Sequence, residues 1–69
     1  MSVYRVTEVI GVSEQSWEDA ARDAVQTAAA TVRDLRVAEV IRKDVTIENG
    51  QVKNFRVRLA LSFKYETGD

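Results

Sequence analysis

The sequence contains no cysteine, no histidine and no proline, and only 3 glycines. Without cysteine there is neither a disulfide framework nor a thiolate metal site. Without histidine, the commonest metal ligand and the usual general base are both missing. A chain of 69 residues is a marginal domain, because domains this small usually need disulfides, a metal or oligomerisation. Of these, the composition favours oligomerisation.

Strong charge bias and long apolar runs are also missing. The formal net charge is −1 at pH 7, so nothing in the composition attracts polyanions and nucleic acid is a poor partner. No apolar run is long enough to span a membrane, and the opening MSVYRVTEV lacks a signal-peptide core. We therefore expect a cytoplasmic protein that binds neither nucleic acid nor membrane.

The clearest pattern is the alternation of apolar and polar residues in VKNFRVRLALSFKYE, residues 52–66. One side carries Phe55, Val57, Leu59, Leu61, Phe63 and Tyr65. A period of two predicts a β-strand with one buried face, and a strand of this length spans roughly 50 Å. The single short helix of the chain cannot cover it, so we expect another copy of the chain to do so.

The first half of the chain predicts a strand and a helix. Residues 3–12 are rich in β-branched and aromatic types. One face of this strand carries Tyr4, Val6, Ile10 and Val12, with Glu8 among them. Gly11 and Ser13 are expected to end the strand. An amphipathic stripe then predicts a helix over 16–34.

The helix begins with a recognisable cap. Ser16 followed by Asp19 has the spacing of a capping box. Trp17 lies in the first turn, where we expect it to cap the core rather than to bind a ligand.

The second half predicts a hairpin. Residues 36–48 form a strand whose imperfect alternation indicates a bulge or contacts on both faces. Asn49-Gly50 is the strongest short hairpin signal, and it leads into the long strand at 51–66. The fold class is therefore α+β with the order β-α-β-β. We expect an antiparallel three-stranded sheet, in the order 1-3-2, packed on one helix.

This chain resembles the dodecin family over almost its whole length, so 1–69 is expected to be a single dodecin-like domain. The resemblance is carried by VYRVTEVIGVS, SWEDAA, VAEV and FRVRLALSF in this order and spacing. Dodecins are hollow shells of twelve identical subunits that usually hold stacked pairs of flavins at subunit interfaces. The resemblance therefore implies a homododecamer with riboflavin or FMN as the family's ligand.

Two positions that match the family's flavin site are substituted here. The family has an aromatic residue, normally tryptophan, just before the pair that aligns with Ala38-Glu39, and this chain has Val37. Arg56 replaces a glutamine that hydrogen-bonds the flavin ring in the family. Valine cannot supply ring stacking, and arginine has no acceptor atom. Both changes look like a branch described as calcium-binding, which makes calcium the candidate cation.

The remaining candidate residues are charged. Glu8 in its apolar row needs a charged partner, an ion or solvent, unless a bulge at Val9-Ile10 turns it outward; it is the candidate metal ligand. Arg56, Arg58 and Lys64 share a strand face, with Arg5 expected nearby. They bind either an anionic ligand or, as we favour, carboxylates such as Glu39 or Asp44 across subunits.

No catalytic constellation is present, since the serines have no histidine to activate them. We therefore predict a non-enzymatic shell that binds and sequesters a small molecule or a cation. Two alternatives remain. One is a flavin-storing dodecin with an altered site, and the other is a structural assembly without a ligand.

Overall fold

The computed structural model describes residues 2–64. The elements are β1 (Tyr4–Ser13), α1 (Trp17–Ala29), β2 (Leu35–Glu48) and β3 (Gln51–Lys64). Both neighbours of β3 run antiparallel to it in a sheet of order β1-β3-β2. The predicted fold class and strand order are confirmed. Tyr65 and Glu66, which the alternation assigns to the last strand, lie outside the described residues. No helix within residues 2–64 is long and apolar enough to cross a bilayer.

The start of α1 follows the sequence signal, but its end does not. The Ser16 hydroxyl accepts a hydrogen bond from the Asp19 amide at 3.0 Å. The helix ends at Ala29, so the predicted extension to residue 34 is wrong. Leu35 fits the helical spacing of apolar residues, but it belongs to β2 and packs against the core from there. Asp34 adopts a φ of 58°, a left-handed conformation that cannot continue a helix.

The core lies between α1 and one face of β1 and β3. Its buried residues are Ala20, Val57, Leu59 and Leu61. Gly11 lies inside β1 and faces the helix, so the prediction that it ends the strand is wrong. A Cβ at this position would sit 2.1 Å from the carbonyl oxygen of Ala20. Only glycine therefore permits the helix to approach β1 this closely.

The apolar row of β1 points away from the helix. Tyr4, Val6, Ile10 and Val12 are all exposed, with Val6 at 61%. The residues that face α1 are those of the other parity, including the half-buried Val9. The hydrophobic pattern of β1 therefore marks a surface that residues 2–64 do not cover.

The hairpin between β2 and β3 turns at Asn49-Gly50, as predicted. Their φ angles are 54° and 75°, which a type I′ turn requires at both central residues. The register of β2 shifts at three points, between Leu35 and Val37, Val40 and Arg42, and Thr46 and Ile47, and these shifts confirm the expected bulge.

Replacing Gly50 with valine should destabilise the fold by about 1–2 kcal/mol, because a β-branched residue resists positive φ. A Cβ at Gly50 would meet no atom within 4 Å, so the effect isolates the backbone conformation. Gly50→Asn is the matched control, since asparagine tolerates this region. Thermal unfolding measures both variants. A melting temperature for Gly50→Val equal to that of Gly50→Asn would contradict the assignment.

Candidate functional site

The helix-free face of the sheet carries most of the site residues predicted from the sequence. We use this name for the alternate residues that point away from α1. They are Tyr4, Val6, Glu8, Ile10 and Val12 of β1, Val37, Glu39, Arg42 and Asp44 of β2, and Arg56, Arg58, Ala60, Ser62 and Lys64 of β3. Val37, Arg56 and Glu8 all belong to this face. Apart from the buried Ala60, these side chains are exposed or half-buried among the described residues, so this face is the candidate functional surface.

Arg56 is held by a carboxylate of its own chain. Its Nε and one terminal nitrogen donate to the two carboxylate oxygens of Asp44 at 2.7 and 2.8 Å. This bidentate geometry is the strongest form of an arginine–carboxylate contact. The hydrogen bond from Arg56 is the main cause that lowers the pKa of Asp44, and Arg42 and Arg58 add to it. Asp44 in turn raises the pKa of Arg56.

A bulge in β2 brings Asp44 to this face. Before the bulge, Val37 and Glu39 point away from the helix, and strict alternation would continue with Ile41 and Lys43. The register instead skips Ile41 and pairs Arg42 with Arg58 and Asp44 with Arg56. The ion pair of Asp44 with Arg56 therefore depends on one inserted residue.

Glu8 lies in a regular stretch of β1 opposite Ala60. The register shows no bulge at Val9-Ile10, so that explanation for Glu8 is wrong. Its carboxylate is exposed and lies 3.8 Å from a terminal nitrogen of Arg58, which supplies the charged partner. Glu39 opposes Ala60 from the other side, two strand spacings or about 10 Å from Glu8. Within residues 2–64, no three carboxylates come close enough together to hold a metal ion.

Val37 and Arg56 do not meet in one chain. Val37 is 54% exposed and opposes Ser62. Ser62 is about 20 Å along β3 from Arg56. The two positions that match the flavin site of the family could therefore contact one ring system only if they came from different copies.

One candidate residue, Arg5, lies on the helix side instead. Arg5 opposes Phe63, with its guanidinium carbon 6.0 Å from the ring centre. Arg5 lines one cavity with Lys64, but it does not share the strand face of Arg56, Arg58 and Lys64. Opposite parity in β1 puts Arg5 on the other face.

Trp17 contacts the core at the end of the sheet away from Arg5. Its ring packs edge-on against Phe55 with centroids 5.1 Å apart. Its indole nitrogen donates to the Asp44 carbonyl at 3.0 Å. These contacts agree with the expected capping role.

The sequence reasoning missed Arg42 as a member of this site. Arg42 directly opposes Arg58 across β2 and β3. Its charge was visible in the sequence, but the strand face that it occupies follows from the bulge. Strict alternation from Val37 and Glu39 would put Arg42 on the helix side.

An apolar cavity lies away from these residues. It is an apolar groove of about 500 Å³ between α1 and β1, lined in part by Val9, Ala28 and Val32. Of the predicted site residues, it contains none. We take the helix-free face, and not this groove, as the candidate site, because the groove presents few polar groups to orient a ligand.

Comparison with known proteins places this fold in a family of small proteins with the same β-α-β-β order. A family model described as Dodecin matches residues 3–66, and the chain belongs to the dodecin family. It is 47% identical over 64 residues to the "Calcium dodecin" of Mycobacterium tuberculosis (strain ATCC 25618 / H37Rv), covering 93% of this chain and 90% of that protein.

Solved structures give the same result. Dodecin from Streptomyces coelicolor has a TM-score of 0.91 at 42% identity, covering 97% of this chain and 96% of that one. A calcium-chelating antigen, the calcium dodecin from Mycobacterium tuberculosis, has a TM-score of 0.83 at 43% identity, covering 99% and 97%. That protein is described with a novel calcium-binding site.

The pKa of the Asp44 carboxyl should lie below its ordinary value of 3.8 and rise when Arg56 is replaced by glutamine. A folded-state pKa below the unfolded one adds stability at pH values above the unfolded pKa. This contribution is lost as the pH falls through the folded pKa. We therefore expect wild type to lose more stability than Arg56→Gln as the pH falls below about 4.

A carbon-detected NMR titration of the Asp44 carboxyl in both proteins tests this prediction. Arg22→Gln removes an equal charge from the helix and serves as the control, with no change expected at Asp44. Equal Asp44 titrations in wild type and Arg56→Gln would show that the ion pair does not form in solution.

Proposed function

We propose that this chain is a subunit of a hollow homododecameric shell in the cytoplasm, which binds and sequesters a small ligand and catalyses no reaction. The observation that carries the proposal is the uncovered helix-free face. It combines an apolar row with ordered ion pairs on a rigid sheet. A surface of this kind is typical of one that is covered in an assembly.

Several exposed apolar residues support the assembly. Beyond the last pair of β1 with β3, Ser13 and Phe55, the hairpin projects from the domain. It leaves Ile47 68% and Val52 53% exposed. Together with the row on β1 and the groove beside α1, they give one small chain three uncovered apolar surfaces. Contacts between copies would bury these surfaces and supply the stability that a 69-residue chain without disulfides needs.

Calcium is the candidate ligand, supported by the likeness to calcium dodecin. Calcium takes six to eight oxygen ligands, often from carboxylates. One chain does not bring three carboxylates together within residues 2–64, so a site would draw on more than one copy. Glu8 is the proposed contributor on the helix-free face, because its ion-pair partner Arg58 lies as far as 3.8 Å away.

Glu8→Gln should lower calcium affinity by at least about tenfold, since it removes one charged ligand. Arg58→Gln should raise the affinity, because the arginine competes with calcium for the same carboxylate. Glu14→Gln is the control, as it removes an equal charge outside the strands. Calorimetric titration of the metal-free protein measures all three variants.

Native mass spectrometry of untreated protein reports the subunit number and any retained ion together. Twelve subunits with bound calcium are expected. A monomer or plain dimer at micromolar concentration would contradict the shell. If Glu8→Gln binds calcium as tightly as the wild type, Glu8 is not a calcium ligand. That result would not contradict the proposed assembly.

Riboflavin should bind weakly to the wild type. Val37 provides no ring to stack on the flavin, a contact that contributes about 1–3 kcal/mol by analogy with bases. Arg56 is already committed to Asp44. Val37→Trp combined with Arg56→Gln should therefore create or greatly strengthen binding, which is measured by the quenching of flavin fluorescence.

A matched control places the ring on the opposite face. Val40 is also exposed but points to the helix side, opposite Leu59. Val40→Trp combined with Arg56→Gln should therefore leave riboflavin binding weak. Nanomolar binding by the wild type would show that other groups recognise the ring and would favour the flavin-storing alternative.

A further inference from the structure

Two arginines lie directly opposite each other on the helix-free face. Arg42 pairs in register with Arg58. Like charges at directly opposed positions destabilise a sheet. Together with Arg56, Asp44 and Ile10, they line a small cavity of about 70 Å³. The fold therefore concentrates positive charge around a concave site.

The carboxylates near this cavity leave part of the positive charge unpaired. Both oxygens of Asp44 accept from Arg56. Glu8 reaches Arg58 only at 3.8 Å. Among residues 2–64, no carboxylate forms an ion pair with Arg42, and Glu39 in the neighbouring row pairs with neither opposed arginine.

The cavity has the walls of an anion site. The ion pair with Asp44 fixes the position of Arg56, which limits the cavity on one side. Ile10 provides an apolar wall beside Arg58. Guanidinium groups present several donors in a planar fork that fits the oxygens of phosphate. The cavity measures about 70 Å³, which is too small to enclose a flavin ring system.

We propose that Arg42 and Arg58 together bind an oxyanion of the phosphate class in this cavity. The anion lies between the two guanidinium groups and removes their mutual repulsion. This site borders the proposed calcium ligand Glu8, which lies 3.8 Å from Arg58. It does not include Val37, and it takes a ligand of opposite charge to calcium. Neither calcium binding nor flavin binding is needed for it.

Inorganic phosphate is the probe for the test. The full-length assembled protein is titrated in a buffer free of calcium and phosphate, and binding is followed by phosphorus NMR line width and by calorimetry. Arg42→Gln and Arg58→Gln should each weaken binding by about tenfold, the value of one charge-assisted hydrogen bond. The double variant should show no binding. Arg22→Gln, which removes an exposed arginine of the helix, should bind as the wild type does.

Thermal unfolding gives an independent readout that does not depend on measuring affinity. Without phosphate, Arg42→Gln should melt at a higher temperature than the wild type, because one of two opposed charges is gone. Added phosphate should raise the melting temperature of the wild type but not that of the double variant.

Three results would overturn the proposal. Phosphate binding equal to the wild type in both single variants would exclude these arginines. An equal loss in Arg22→Gln would show that phosphate responds only to overall charge. If the wild type binds no phosphate and Arg42→Gln dissociates the oligomer in native mass spectrometry, the anion is a carboxylate of a second copy.

Discussion

The difference in length between the helix and the strands determines the rest of this structure. The 13 residues of α1 span about 20 Å, whereas the 14 residues of β3 span about 46 Å. The described residues accordingly measure 54 × 20 × 13 Å. The helix can bury only the middle of β3, and it does so because Gly11 allows β1 and Ala20 to touch. The projecting hairpin, the groove and the helix-free face are what this short helix leaves uncovered.

The features predicted correctly from the sequence are those set by local chemistry. The alternation of β3 predicts which of its residues are buried, and Val57, Leu59 and Leu61 do lie in the core under the helix. Asn49-Gly50 fixes the turn through its tolerance of positive φ. Tertiary contacts decided the features that were wrong. Leu35 fits the helical period, yet it packs against the core from β2. Gly11 was assigned as a strand breaker, but it marks the closest approach of backbone to helix.

The candidate site was predicted in part for the same reason. Alternation shows which residues share a face with Glu8 in β1 and which share a face with Arg56 in β3. The antiparallel pairing of β1 with β3 then puts both sets on the same face of the sheet. The bulge that skips Ile41 reverses parity in β2, and no local signal gives its position. Arg42 and Asp44 therefore reach the site through a register shift that only the folded sheet reveals. The partner of Arg56 and the opposed pair of arginines follow from that shift.

The ion pair of Arg56 with Asp44 is the physical basis of the proposal that this surface binds ions rather than rings. In the flavin-binding dodecins, the resemblance implies an aromatic ring and an amide at the two positions occupied here by Val37 and Arg56. An amide can exchange hydrogen bonds with a neutral ring, whereas Arg56 has no acceptor and its donors toward Asp44 are already used. Breaking this bidentate contact to admit a flavin would leave Asp44 without its partner. Because Asp44 pairs with Arg56, its carboxylate does not pair with Arg42 or Arg58. The positive charge of these two arginines therefore remains beside the cavity, and the remaining negative charge on this face is that of Glu8 and Glu39. A cation at Glu8 and an oxyanion at Arg42 and Arg58 would each bind charged groups that the ion pair of Asp44 with Arg56 does not neutralise.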